Sequence, residues 1–143
     1  MRTLVIDASV AAKWVLPEAG ETFVPKALEL LQGYADGELR FLVPDLFWAE
    51  FANTLWKAVR QGRIRVASAE MALHAMHERN FSTVSSRTLL VEAFAIATAF
   101  DRAVYDALYV ALAVTSKSQL VTADERMANA LAAHLPVKWL GGV

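Results

Sequence analysis

The sequence predicts an α/β domain around a mainly parallel sheet. Two observations carry that prediction. Short β-rich runs at Thr3–Ile6, Phe41–Val43, Phe81–Val84, Gln119–Val121 and Val137–Leu140 recur with helical segments between them, the pattern of strand–helix–strand units. The chain also has 143 residues, 56% of them hydrophobic and 20% charged, which suits one domain burying roughly two thirds of the surface of its unfolded form. No internal repeat or linker divides it, so residues 1–143 read as a single domain.

Each element has a local reason. The first strand ends at Asp7, and the Ala-rich DASVAAKW that follows reads as a helix entered through a capping residue. From about Thr22 to Ala35, Val24, Leu28, Leu31 and Ala35 form one stripe, with Pro25 in the first turn and Gly37 at the exit. Pro44 stops the second strand, and Asp45 is placed to cap LFWAEFANTLWKAVRQG, whose Phe47, Phe51, Leu55 and Val59 make a broad apolar face before Gly62. Ser68 opens a helix to about Arg79, and Thr88 to Phe100 is a strongly apolar one. Directly after it comes YDALYVALAV, apolar on all sides and carrying one charge, Asp106. Such a helix is buried. TADERMANALAAH is the last helix, before the closing strand.

Several classes of protein are excluded. The absence of cysteine rules out disulfides and thiolate metal sites and suits a cytoplasmic protein. Asp7 and Lys13 interrupt the apolar start, which reads poorly as a signal peptide, and no uncharged apolar run is long enough to span a membrane. The net charge of −1 hides an asymmetry: residues 57–87 carry six Lys or Arg against two Glu, leaving eight basic and thirteen acidic residues elsewhere.

Candidate chemistry centres on carboxylates. Ligands of open parallel sheets bind outside the carboxyl ends of the strands. Asp7 follows the first strand and Asp124 the fourth, so a parallel sheet puts both on one rim. Asp106, at the start of a buried helix, must pair with a cation, protonate or open onto a cleft. Each acid also has a plainer reading: Asp7 and Ser9 are ordinary helix caps, Thr122 and Glu125 have capping-box spacing around Asp124, and Glu50 lies with Asn53, Thr54 and Lys57 on a polar face. Gathered carboxylates repel and need a positive partner. With oxygen ligands only, the natural ion is Mg²⁺ or Mn²⁺, and its natural chemistry is phosphodiester hydrolysis.

Four segments, VIDASVAAKW, PDLFWAEFANTLWK, YDALYVALA and LVTADERM, together resemble the PIN-domain nucleases, and among them the VapC-type toxins of toxin–antitoxin pairs. The resemblance implies a three-layer α/β/α domain with a short central, mainly parallel sheet and a Mg²⁺- or Mn²⁺-dependent endoribonuclease site. Carried over by motif, Asp7 and Asp106 are the main metal ligands, Glu50 and Asp124 complete the pocket directly or through water, and Ser9 and Thr122 are hydroxyl supports. It further implies a homodimer and an inhibitory antitoxin. Residues 60–104 share only the family's general character, which leaves RNA selection open.

Outside the acids, Arg60, Arg63 and Arg65 form a basic patch able to hold RNA phosphates or to finish a helix, and Lys13 points toward substrate or sits on the surface. His74 and His77 share a helix face without a third nitrogen ligand nearby, and His134 is a helix-end residue. Trp14, Phe47, Trp48, Phe51 and Trp56 suit core or interface burial better than base stacking; Trp48 and Trp56 flank the apolar stripe of their helix and are expected at a dimer or antitoxin contact. The readings that compete with an endoribonuclease are a noncatalytic acidic-pocket binding domain and a metal-dependent phosphatase.

Overall fold

A computed structural model describes residues 1–17 and 19–143. In chain order the elements are β1 (Arg2–Ile6), α1 (Ala8–Val15), α2 (Val24–Ala35), β2 (Leu39–Pro44), α3 (Leu46–Arg60), α4 (Val66–Glu78), β3 (Ser82–Val84), α5 (Ser86–Phe100), α6 (Val104–Thr115), β4 (Gln119–Thr122), α7 (Glu125–Leu131) and β5 (Val137–Trp139). The alternation of strand and helix expected from the sequence is present throughout, with element ends displaced by a few residues. All strand pairs are parallel, in the order β3-β2-β1-β4-β5.

That order sets the position of the site. From β1 the chain moves outward through β2 to β3, then returns to β4 on the other side of β1 and continues to β5. The direction reverses between β1 and β4, whose registers pair Val5 with Leu120 and Ile6 with Val121. A crevice opens outside the carboxyl ends at such a reversal. Asp7 and the Thr122–Asp124 segment emerge there, and the Asp7 N–H donates to Val121 O at 3.2 Å.

Helices cover both sheet faces, as the complete burial of successive residues Leu4, Val5 and Ile6 requires. Trp14 and Tyr34 stack on Phe41, with Phe81 edge-on to all three rings. Trp48 also turns inward: it packs on Phe47 and Phe81 and donates its indole N–H to Thr83 at 3.1 Å. Of the two tryptophans expected at an interface, only Trp56 is substantially exposed, at 51%.

Helix α6 is enclosed from Ala107 to Ala113, as its composition predicts, but its ends are open: Tyr105 and Val114 are exposed and Asp106 is half-buried. Its start is set by Asp101, whose left-handed backbone (φ 55°) ends α5 sharply and puts Arg102 at the mouth of α6. Asp and Asn tolerate that conformation better than other side chains.

Asp45 departs from expectation. Its carboxylate makes no bond within α3 and instead accepts from the Ser86 N–H at 3.0 Å and from the Ser86 hydroxyl, at the start of α5. Ser86 Oγ in turn accepts from Leu46 N–H at 3.4 Å, so each helix start is capped from the other. The exchange ties the β2 and β3 ends of the rim together. Gly62 ends α3 as expected, with φ 71°. Among the described residues, no helix is long and apolar enough to cross a membrane.

Candidate active site

Asp7 leaves β1 as the first residue beyond the sheet and precedes α1, yet its side chain makes no capping bond. Two hydroxyls claim it instead. Ser9 Oγ donates to Asp7 Oδ2 at 2.8 Å and Thr122 Oγ1 donates to the same oxygen at 2.7 Å. Both protons are aimed by the backbone: Ser9 Oγ accepts from Ala123 N–H and Thr122 Oγ1 accepts from Asp124 N–H, each at 3.0 Å. With an acceptor position on each hydroxyl taken, its hydrogen is directed at Asp7. Ser9 and Thr122, expected as hydroxyl supports, are the two side chains that hydrogen-bond the Asp7 carboxylate.

Asp124 is a helix cap as well as a rim acid. Its Oδ1 accepts from Met127 N–H at 3.1 Å at the start of α7, so Asp124, rather than Thr122, occupies the capping position. Its other oxygen, Oδ2, is 3.9 Å from Arg102 Nη2. The same guanidinium nitrogen lies 3.1 Å from Asp106 Oδ2. Arg102 thus places a positive charge between two of the four acids.

Glu50 projects from the polar side of α3, half-buried, and Oε1 accepts a 2.6 Å hydrogen bond from the Tyr109 hydroxyl of α6. The competing view of Glu50 as part of a purely solvated face does not survive that contact. A cleft of about 440 Å³ lies between α3 and the end of β1, lined by Asp7, Ser9, Glu50, Asn53, Thr54, Lys57 and Tyr105. Asp106 and Asp124 do not line it and are joined to each other through Arg102. Among the described residues, no three His, Asp or Glu side chains are grouped closely enough to hold a metal ion between them.

The electrostatics tie Asp7, Glu50 and Asp106 into one group. Asp7 touches solvent over part of its surface, but protein crowds its carboxyl. Burial raises the carboxyl above its ordinary range, the Thr122 and Ser9 hydroxyls pull it back, and the charge of Asp106 raises it further. Glu50 is likewise raised, first by burial, with the Tyr109 hydroxyl opposing and the charges of Asp7 and Asp106 adding to the rise. Burial and the neighbouring Asp7 and Glu50 charges push the Tyr109 phenol upward, so it remains a donor.

The expected basic residues differ in their partners. Lys13 is buried and its Nζ is 3.2 Å from Glu21 Oε1, while Arg63 Nη2 is 2.7 Å from Glu21 Oε2. Burial raises the Glu21 carboxyl, but the bonds and charges of Arg63 and Lys13 outweigh it and hold the group below its ordinary value. Lys13 and Arg63 are therefore engaged internally. Arg60 lies over the Trp56 ring, 5.0 Å from its centroid, and Arg65 is exposed before α4. His77 approaches Trp48 edge-on and His74 is exposed; neither belongs to a three-ligand group among the described residues. His134 packs near Phe100.

Sequence reasoning overlooked Arg102 and Tyr109 and did not single out Lys57 for the site. Arg102 precedes Asp106 by four residues, the spacing of a helical ion pair. Tyr109 follows Asp106 by three, which put it on the same side of α6. Lys57 lies two turns beyond Glu50.

Known proteins share both sequence and fold. The family model for the PIN domain matches residues 4–131. The chain is 36% identical over 128 residues to Ribonuclease VapC3 of Pyrobaculum aerophilum, covering 88% of this chain and 92% of that protein. The crystal structure of PAE2754 from Pyrobaculum aerophilum superimposes with a TM-score of 0.70 at 22% identity, covering 98% of this chain and 85% of that one. Mycobacterium tuberculosis VapC20, described as a sarcin-ricin loop cleaving toxin, gives a TM-score of 0.64 at 17% identity, with 92% and 95% covered. These structures share the parallel α/β architecture. The span of the family match and the identity to the relative carry the conclusion: the chain belongs to the PIN-domain family.

Proposed function

We propose that the chain is a metal-dependent endoribonuclease and the toxic member of a toxin–antitoxin pair. The single observation that carries the reading is the meeting of Asp7 and Glu50 in one cleft at the sheet's reversal point, Asp7 fixed there by the Ser9 and Thr122 hydroxyls and Glu50 by Tyr109. Ribonuclease VapC3, 36% identical, and VapC20, of the same fold, support RNA as the substrate. A toxin–antitoxin complex from Klebsiella pneumoniae, with a TM-score of 0.61 at 15% identity, supports an antitoxin partner. A cytoplasmic location goes with the same reading. A homodimer is part of the same reading.

The donor set suits a hard divalent cation, because the rim offers carboxylate and hydroxyl oxygens without sulfur. Asp7 and Asp106 would hold Mg²⁺ or Mn²⁺, with Glu50 and Asp124 completing the pocket directly or through water. Once bound, that ion supplies Lewis-acid polarisation of the phosphate and a water of lowered pKa. The chain supplies the rest. Ser9 and Thr122 fix the Asp7 carboxylate and favour its charged form against burial. Tyr109 anchors Oε1 of Glu50, leaving Oε2 to accept a proton from the attacking water, a task for which a raised carboxyl is suited. Water adds to phosphorus and gives its proton to Glu50 while the bond from phosphorus to the ribose oxygen breaks, and that departing oxygen takes a proton from solvent.

The test is to strip the purified protein with EDTA, incubate it with end-labelled single-stranded RNA, and restore Mg²⁺ or Mn²⁺. Internal cleavage should appear only with metal. Metal binding without cleavage of any RNA would favour the noncatalytic acidic-pocket reading. Cleavage in EDTA equal to that with metal would overturn the proposed chemistry.

A further inference from the structure

The cleft that holds Asp7 and Glu50 does not end at its basic wall. Lys57 lines it and also lines a second, adjoining pocket of about 410 Å³ with Trp56, Arg60 and Gln61. The two openings are consecutive along one side of α3: Glu50, Asn53, Thr54, Lys57 and Arg60 follow at helical spacing, and a rise of about 1.5 Å per residue puts Lys57 about 10 Å and Arg60 about 15 Å beyond Glu50. The acidic end is where chemistry is proposed, and the far end is cationic and aromatic.

Its cations also differ from those nearby. Lys13 and Arg63 are committed to Glu21, whereas Lys57 and Arg60 are exposed and form no ion pair among the described residues. Arg60 instead stacks on Trp56, which is 51% exposed despite its large apolar ring. An exposed indole carrying a guanidinium beside a free ammonium can receive a base through stacking and the adjoining phosphate through charge.

We propose that Trp56, Lys57 and Arg60 form a nucleotide subsite that holds single-stranded RNA next to the scissile phosphate, Lys57 and Arg60 gripping the backbone and Trp56 stacking on a base. The inference rests on the ribonuclease reading and adds a direction to it: the strand enters the acids along α3. Of the Arg60, Arg63 and Arg65 expected to hold RNA, it uses Arg60 and adds Trp56 and Lys57.

The test compares wild type with Lys57→Ala, Trp56→Ala and Lys57→Glu, and with Lys117→Asn as a charge-loss control at the opposite end of α6, where the positive φ of 54° accommodates Asn. A fluorescent single-stranded oligoribonucleotide in EDTA gives affinity by anisotropy at several salt concentrations, and the same oligonucleotide with Mn²⁺ gives kcat and KM. Circular dichroism establishes that each variant is folded. Lys57→Ala should weaken binding about fivefold and reduce the magnitude of the logarithmic salt slope by about 0.7, the share of one single-strand phosphate. Trp56→Ala should weaken binding about tenfold with little change in that slope. In both, KM should rise while kcat stays within about twofold, the signature of lost uniform binding. Lys57→Glu should lose more than Lys57→Ala, and Lys117→Asn should match wild type. Folded Lys57 and Trp56 variants with wild-type affinity and KM would overturn the subsite while leaving the ribonuclease reading intact. A wild type that neither binds nor cleaves RNA would overturn both.

Discussion

Replacing Tyr109 by Phe removes one oxygen and one hydrogen bond, and its consequences can be followed from stability to pH dependence. Tyr109 is 2% exposed, and its hydroxyl donates to Glu50 Oε1 at 2.6 Å. A hydrogen bond to a charged group contributes about 1.5–3 kcal/mol. Glu50 is half-buried, so water can partly replace the lost donor, and a cost of about 1–1.5 kcal/mol is the appropriate estimate. At about 2.1 cal/mol/K per residue, 143 residues unfold with an entropy of about 0.3 kcal/mol/K, so the melting temperature should fall by about 3–5 °C. The Tyr109 bond also holds the Glu50 carboxyl down against burial and the neighbouring acids. Without it Glu50 rises further, and the acid limb of the pH–rate profile should move to higher pH. The assays are a thermal melt by circular dichroism and kcat/KM for a labelled RNA across pH. A variant with the melt and acid limb of wild type would refute both the contact and the assignment of Glu50 as the titrating base.

Other perturbations separate the remaining groups. Asp7→Asn keeps an acceptor for Ser9 and Thr122 while removing a buried like charge, so the metal-free protein should gain about 1–2 kcal/mol at neutral pH in a denaturant titration, and lose activity. The sign of the pH effect follows from the raised carboxyls of Asp7 and Glu50: their contribution favours folding below the unfolded values of 3.8 and 4.5 and is lost as pH rises through the folded values, so metal-free wild type should gain stability from these groups on mild acidification. Glu21 acts oppositely, since its lowered carboxyl contributes stability above 4.5 that is lost as pH falls through the folded value; Glu21→Ala, which strands buried Lys13, should cost about 3 kcal/mol by the same titration. Arg102→Met removes the cation between Asp106 and Asp124, and should lower the metal-free protein's unfolding free energy in a denaturant titration yet tighten Mn²⁺ binding in a calorimetric titration, each by about 1 kcal/mol.

The fold was legible because its signals are local and repeated. Asp7 after a β-rich run, Pro44 after Val43 and the all-round apolar segment beginning at Tyr105 each mark an element without reference to the rest of the chain. Parallel pairing then puts Asp7 and Thr122–Asp124 on one rim. What escaped depends on distant partners. The polar side of α3 reads the same whether it faces water or a cleft, so only the family resemblance assigns Glu50 to the pocket, and its contact with Tyr109, 59 positions away, is not visible in the sequence. Lys13 reads as a surface lysine until Glu21 closes over it, eight residues on and outside any helical spacing. Asp45 stands where a cap for α3 belongs, but parallel β2 and β3 bring the start of α5 within its reach. Arg102 had a visible partner four residues away, while its second, Asp124, is supplied only by the sheet order.

If the rim acids carry out metal-dependent RNA cleavage, Asp106→Asn should abolish it. Asp106 has a side chain 37% exposed at an open end of α6, so its replacement should leave the melt close to wild type. With labelled single-stranded RNA and Mn²⁺, wild type should cleave and the folded variant should not. Equal cleavage by both proteins would contradict the account, and an unfolded variant would show Asp106 to be structural instead.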